Sequence, residues 1–151
     1  METGKQDAEA LLRSGITVQL PPTGWSMYPT IVPGRDQAVI APAEGHALRR
    51  GDVLLYRRDG GILVLHRVWR AGPEGLYLVG DNQREIEGPL RQDQVRGIMT
   101  ALVRKGRNIP VTALCYRLPT GLWLLLRPLR RPISRAAAAV KRLLGRGGTA
   151  F

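Results

Sequence analysis

The sequence predicts a mostly β fold, and three features of its 151 residues support this class. Eighteen glycines and eleven prolines favour many short strands joined by turns. Asp59 and Gly60, between two apolar segments, supply the residues that a tight hairpin turn requires. Hydrophobic residues make up 44% of the chain, which suits a folded core and argues against disorder. We therefore expect one compact, hairpin-rich β domain.

The pattern of apolar residues and turn residues predicts the elements in order. A short helix is expected over residues 5–14, within an N-terminal segment 1–15 that Gly15 ends. Strands are expected over residues 16–20, 37–41, 53–57, 62–70, 76–79 and 95–104. Residues 83–94 are polar and are expected to form a loop. The β domain should therefore span residues 16–112.

The last part of the chain differs in charge from the rest. Residues 1–93 hold 11 basic and 12 acidic side chains, whereas residues 94–151 hold 12 basic and none that is acidic. A helix is expected from Pro132, with Ser134 as its N-cap and Gly145 as its stop, and it has one apolar face and one basic face. We expect residues 113–151 to form a basic, partly helical extension. Residues 121–146 could contact an anionic membrane, although such arginines can also form a merely solvated face.

The composition also limits the kinds of site that the chain can form and the cellular compartment that is expected for it. The single cysteine, Cys115, excludes a disulfide within the chain and is expected to be a small buried hydrophobe. The two histidines and this cysteine do not cluster in the sequence, so we expect neither a metal site nor a cofactor. We expect no secretory signal, because the first ten residues contain three acidic side chains and no apolar run, and no segment approaches the ~18 apolar residues that a membrane span needs. We expect a cytoplasmic protein, or one peripheral at the inner membrane face.

Three separated segments together suggest nucleophilic catalysis. Ser26 lies in a turn between Gly24 and Pro29, His66 lies in a predicted strand, and Asp81 follows the next strand. A serine hydroxyl becomes a nucleophile when a base removes its proton, and a histidine beside a carboxylate suits that role. Each residue also has an ordinary structural interpretation, since serine and aspartate are common in turns and histidine is often buried.

These segments resemble the S24/S26 serine peptidases, the group of type I signal peptidases and LexA-like self-cleaving proteins. The segment GWSMYPT (residues 24–30) is similar to the box that holds the nucleophile, and RGDVLLY (residues 50–56) is similar to the following strand. LHRV (residues 65–68) resembles the general-base box of the histidine-type branch, and GDN (residues 80–82) matches a further box. The resemblance covers about residues 16–107.

The resemblance implies a signal-peptidase-like β domain with Ser26 as nucleophile and His66 as general base. The third member would be Asp81 as first choice, or Glu87, which stands six residues further on, as second choice. Residues of the Ser26 segment would bind substrate, namely Gly24, Trp25, Met27 and Pro29. Trp25 replaces the small residue usual in the family, and the usual N-terminal membrane anchor is not expected in this chain.

The expected activity is therefore that of a serine endopeptidase that cuts a specific bond in a precursor or leader peptide. The alternative is a small basic β module that binds nucleic acid or an anionic surface on an inactive peptidase fold. The charge supports such a module, because phosphate contacts dominate nucleic-acid binding. Aromatic residues are only 5% of the chain and offer few stacking platforms, so nucleic acid is the less favoured partner.

Overall fold

The structure is a computed structural model that describes residues 2–129, 139–140 and 142–143, with only the backbone described for residues 2, 3, 5 and 6. Two helices and eight strands follow one another along residues 2–129. They are α1 (Glu2–Arg13), β1 (Val18–Leu20), β2 (Asp36–Pro42), β3 (Val53–Arg57), β4 (Leu63–Gly72), β5 (Gly75–Val79), β6 (Ile86–Leu90), β7 (Val95–Arg104), β8 (Arg107–Pro110) and α2 (Leu114–Leu125). Short 3-10 turns lie at Gln92–Gln94 and Arg127–Leu129.

All strands belong to one antiparallel sheet with the order β1-β2-β7-β3-β4-β5-β6. The ten-residue strand β7 organises it, because one edge pairs with β2 while the other pairs with β3 near its start and with β8 near its end. Strands β3 to β6 form consecutive hairpins. The site described below lies on this run of hairpins.

Strand β3 is buried on both faces and separates two hydrophobic cores. Val53 and Leu55 belong to a first core, which includes Met27 and the apolar side of α1. Leu54 and Tyr56 belong to a second core on the opposite face, together with residues of β4, β5 and β6. Successive side chains of a strand point to opposite faces, so a short run of apolar residues can serve two cores.

Helix α1 is held to the sheet by both apolar and charged contacts. Ala8 and Leu12 are buried in the first core. The buried Glu9 carboxylate accepts hydrogen bonds from Arg57 and from Arg96, the latter with Nε 2.8 Å from Oε1. These bonds outweigh the effect of burial and lower the pKa of Glu9. A charge that is buried in this way must be paired to be tolerated.

The mostly β class is confirmed, whereas several local expectations are wrong. The loop expected at residues 83–94 contains strand β6, whose only buried residue is Leu90, so its sequence lacks a strand-like apolar pattern. Cys115, which was expected to be buried, is exposed on the helix that residues 114–125 form. Tyr116 packs in the first core, so residue 112 does not end the packed domain. Most of the helix expected from Pro132 to Gly145 lies outside the described residues.

Candidate active site

The Ser26 segment is a turn fixed by its own backbone and by one buried side chain. The Tyr28 N–H donates to the Trp25 carbonyl at 3.1 Å, and the Ile31 N–H donates to the Met27 carbonyl at 2.9 Å. Met27 is 3% exposed and packs in the first core, whereas Ser26 is half-buried. The backbone N–H of Ser26 donates to no acceptor among the described residues. The turn therefore presents a hydroxyl next to an N–H that can stabilise an anion.

The turn is fastened to the segment that follows β5. The Asn82 N–H donates to the Ser26 carbonyl at 2.7 Å, and the Asn82 side-chain amide donates to the Trp25 carbonyl at 3.2 Å. A methyl group on Gly80 would lie only 2.7 Å from the Ser26 carbonyl oxygen. Glycine is therefore required at residue 80 by this close approach of two backbones.

This attachment brings Ser26 to the face of the sheet that carries His66. Strands β4 and β5 pair with Arg67 opposite Val79, and the same register continued by one residue sets Gly80 opposite His66. Opposite side chains lie on one face, with their Cβ atoms about 5 Å apart. Because the Cβ direction of Gly80 leads to the Ser26 carbonyl, that carbonyl lies within about 8 Å of the His66 Cβ.

Ser26 Oγ and the His66 ring form no hydrogen bond in the described part of the chain. Catalytic hydrogen bonds are often long without substrate and shorten only in the complex. The structure therefore brings the two expected residues to neighbouring positions without joining them.

The imidazole of His66 is oriented by a tyrosine and a glutamate. His66 Nδ1 lies 3.1 Å from the Tyr56 hydroxyl and 3.5 Å from Glu87 Oε1. The Tyr56 hydroxyl donates to Glu87 Oε2 at 2.8 Å, and Arg58 pairs with the same carboxylate. The three side chains share one face because Tyr56 is diagonal to His66 in the β3–β4 hairpin, while Glu87 lies opposite Leu78 on β6.

These contacts assign the tautomer of His66. A tyrosine hydroxyl has one proton, and here Glu87 accepts it. Burial and the hydrogen bond to Glu87 both raise the pKa of Tyr56, so the hydroxyl keeps its proton. The Tyr56 oxygen is then the acceptor for a proton on His66 Nδ1. We therefore assign His66 as the Nδ1–H tautomer, with an unprotonated Nε2 that can act as a base.

The charge states in this cluster suit a neutral base. Burial lowers the pKa of His66 to about 4, against the opposing attraction of the Glu87 carboxylate. Burial alone would raise the pKa of Glu87, but the bonds from Arg58 and Tyr56 outweigh it and hold this pKa below its ordinary value. At neutral pH, His66 is therefore uncharged while Glu87 is ionised.

Asp81, the first choice for the third member, makes a different set of contacts. Its Oδ1 and Oδ2 accept from Nε and Nη2 of Arg67, both at 2.8 Å, and the Thr30 hydroxyl donates to Oδ2. Arg67 also donates to the Gly51 carbonyl at 2.9 Å. Both charged side chains are buried. The geometry thus favours Glu87 over Asp81 beside His66 and makes Asp81 a clamp on the turn that holds Ser26.

Of the four residues expected to bind substrate, some lie at the surface and others lie in the interior. Gly24 and Trp25 are exposed, and the Trp25 ring lies 5.7 Å from the exposed ring of Tyr28, a residue that sequence reasoning missed. Met27 is buried in the first core and so does not share the surface on which Gly24 and Trp25 lie. Pro29 lines a cavity of about 240 Å³ between this turn and α2. An exposed aromatic pair therefore stands next to the serine.

Helix α2, whose bounds the sequence did not predict, also supports the site. The Trp123 indole N–H donates to the Asp81 carbonyl at 3.0 Å, and Arg127 donates to the Gln83 carbonyl at 3.4 Å. Tyr56 was missed as well, because it lies in a run of core residues. The observed turn has three residues, 59–61, with Arg58 opposite Ile62, and only this register sets Tyr56 diagonal to His66, because a two-residue turn would shift it by one residue.

No protein-family model matches this sequence, and no curated protein or solved structure matches it. Within the described residues, none of the helices combines the length and the apolar composition needed to cross a bilayer. The same residues contain no cluster of histidine, cysteine and acidic side chains that could hold a metal ion.

Proposed function

We propose that this chain is a serine endopeptidase of the signal-peptidase-like (S24/S26) type, with Ser26 as nucleophile and His66 as general base. The single observation that carries the proposal is the attachment of the Ser26 turn to the segment 80–82 through Asn82, because the register sets Gly80 of that segment opposite His66, whose Nδ1 contacts Tyr56. A serine and an oriented neutral histidine on one face are the minimum that this chemistry requires.

In the proposed reaction, Ser26 Oγ forms a bond to the carbonyl carbon of the scissile peptide while His66 Nε2 takes the hydroxyl proton. The oxygen of the tetrahedral intermediate accepts a hydrogen bond from the Ser26 backbone N–H. As the intermediate collapses, His66 returns the proton to the leaving amine. Water then cleaves the acyl-enzyme ester, with His66 acting again as base, and Ser26 is regenerated.

Glu87 and Tyr56 support the charge that develops during this reaction. When His66 becomes an imidazolium, the Glu87 carboxylate, 3.5 Å from Nδ1, stabilises the positive charge. Tyr56 keeps the ring in the productive tautomer by accepting from Nδ1. Glu87 is therefore the proposed third member of the catalytic set, beside Ser26 and His66. It acts on His66 both directly and through Tyr56.

The proposed substrate is a precursor or leader peptide with an apolar residue near the cut. Trp25 and Tyr28 are 60% and 45% exposed beside the nucleophile, and their rings contact each other to form one apolar surface that a peptide side chain can cover. Aromatic rings offer contact area at low cost in side-chain entropy. Replacing Trp25 with alanine should therefore raise KM more than it lowers kcat.

One observation favours a second candidate, a module that binds an anionic surface without cleaving it. Lys105, Arg107 and Arg117 are exposed and form no salt bridge with any described residue. The two candidates differ in their response to Ser26→Ala, because a peptidase loses cleavage with that change whereas a binding module loses nothing.

The testing experiment incubates the purified chain with a diverse peptide mixture and identifies new termini by mass spectrometry. Ser26→Ala and His66→Ala should each abolish the cuts made by the wild type. His46→Ala is the control, because His46 is exposed in a connector far along the chain from the site. Cuts that persist in Ser26→Ala would refute the nucleophile assignment.

A further inference from the structure

Helix α2 has two faces of opposite character. Tyr116, Thr120 and Leu124 are buried, and Tyr116 packs in the first core. The other side holds four leucines that are between 56% and 68% exposed, and the following turn adds a fifth that is 51% exposed. This leucine face consists of Leu114, Leu118, Leu122, Leu125 and Leu129. So large a set of exposed leucines at helical spacing marks a surface that another body covers.

The chain around the leucine face is positively charged. Residues 94–129 contain six arginines and lysines and no acidic residue. Arg96 and Arg104 are paired with Glu9 and Asp36, but Arg117 within α2 is exposed and forms no salt bridge with a described residue, and the same holds for Lys105 and Arg107 at the β7–β8 hairpin. A matching partner should therefore offer an apolar region to the leucines and negative charge to the basic side chains.

We propose that the leucine face docks on the surface of an anionic lipid bilayer, with α2 lying in the plane of the interface. Leucines would enter the boundary between headgroups and acyl chains while the basic side chains contact lipid phosphates. A second copy of the chain is the poorer partner, because it would bring the same unpaired positive charges to the contact. Nucleic acid would leave the leucines exposed to water.

Docking of α2 on a bilayer would also determine where the candidate site lies, and this part of the inference rests on the proposed function. Helix α2 and the turn after it are bound to the loop that supports Ser26, since Trp123 of α2 donates to the Asp81 carbonyl and Arg127 of the turn donates to the Gln83 carbonyl. A helix held on the lipid surface would therefore hold the candidate site close to that surface. Peptides that emerge from or lie on the bilayer would then be the substrates most readily reached.

The test is co-sedimentation of the full chain with vesicles of phosphatidylcholine alone or mixed with phosphatidylglycerol. The wild type should bind the anionic vesicles, and added salt should weaken this binding. Leu118→Ser combined with Leu122→Ser should reduce the affinity about tenfold or more, because two apolar contacts with lipid are lost. Leu125→Ser provides a second, independent variant of the same face.

Ile62→Ser is the control, because Ile62 is 59% exposed and lies outside the leucine face. This variant should bind like the wild type. Absence of wild-type binding to anionic vesicles, or equal binding by the double leucine variant, would overturn the proposal. A concentration-dependent dimer that the double variant disperses would overturn it in favour of a second copy.

The vesicle test and the cleavage test fail independently. Ser26→Ala should bind vesicles like the wild type. If the wild type binds vesicles but cleaves no peptide, the peptidase proposal is refuted and the lipid-docking proposal stands. If the wild type cleaves soluble peptides but does not bind vesicles, the lipid-docking proposal is refuted and the peptidase proposal stands.

Discussion

Tyr56→Phe removes the one oxygen that connects His66 to Glu87 on the Nδ1 side. The ring of Tyr56 is fully buried in the second core, and phenylalanine preserves its shape. Two hydrogen bonds are lost, one of 3.1 Å to His66 and one of 2.8 Å to Glu87. Of the two groups shown in contact with Nδ1, only the Glu87 carboxylate, 3.5 Å away, then remains.

The size of the effect follows from the hydrogen bond that orients the base. Removing one partner of a buried hydrogen bond costs ~1–3 kcal/mol, and each ~1.4 kcal/mol of lost transition-state stabilisation lowers a rate tenfold. We therefore expect kcat to fall about 10- to 100-fold, with KM little changed, because Tyr56 does not reach the substrate. The effect should be smaller than that of His66→Ala, which removes the base itself.

The assay measures kcat and KM on one peptide chosen from the cleavage products, for the wild type and for Tyr56→Phe, Glu87→Gln and their combination. Tyr77→Phe is the control, because its hydroxyl forms no hydrogen bond among the described residues. If Tyr56 and Glu87 act as one unit, the double variant should lose little more than the worse single variant. Wild-type kcat in Tyr56→Phe, or fully additive losses, would refute this reasoning.

Three further predictions concern the turn, the clamp and the base. Gly80→Ala should lower kcat about 100-fold by pushing the Ser26 carbonyl away from a methyl group that would lie 2.7 Å from it, whereas Gly60→Ala, which meets no atom within 4 Å, should retain activity. Equal activity of these two variants would contradict the attachment of the turn. Asp81→Asn should lower the free energy of unfolding by about 3–5 kcal/mol, measured by denaturant titration, because it leaves the buried Arg67 charge without its partner. A loss below about 1 kcal/mol would show that the pair is not a clamp. The acid limb of kcat/KM should lie near pH 4 rather than pH 6.5, because burial keeps His66 neutral down to about pH 4. The unfolded chain binds a proton at His66 below about pH 6.5, whereas the folded chain does not until about pH 4, so about 3 kcal/mol of stability is lost as the pH falls through this window. A limb near pH 6.5, or the same stability slope in His66→Gln, would count against this assignment.

The parts of the fold that the sequence predicted are those in which turns and apolar runs coincide. Strands β3, β4 and β5 lie between glycine-containing turns, and their expected bounds are within a residue or two of the observed ones. Strand β6 could not be found in this way, because it is an edge strand with one buried residue and contains Gly88 and Pro89. Helix α2 was obscured by Pro119 and by leucines on both of its sides.

The candidate site was predicted in its residue types but not in its pairing. The order of Ser26, His66 and Asp81 along the chain gave no indication of which carboxylate reaches the imidazole. That choice depends on the face of the sheet to which each side chain of β4 points. Arg67 is the immediate neighbour of His66, so it points to the opposite face, and there it binds Asp81. Tyr56 was hidden for a related reason, since a buried tyrosine in a core strand resembles any other large apolar residue in sequence.

Peptide cleavage by the wild type and by the Ser26→Ala and His66→Ala variants tests the central claim most directly. New termini read by mass spectrometry should appear with the wild type and with His46→Ala and should be absent from both site variants. Each variant should keep the thermal unfolding transition of a folded domain. New termini in Ser26→Ala, or no cleavage by the wild type with or without anionic vesicles, would contradict the assignment of this site as a serine peptidase centre.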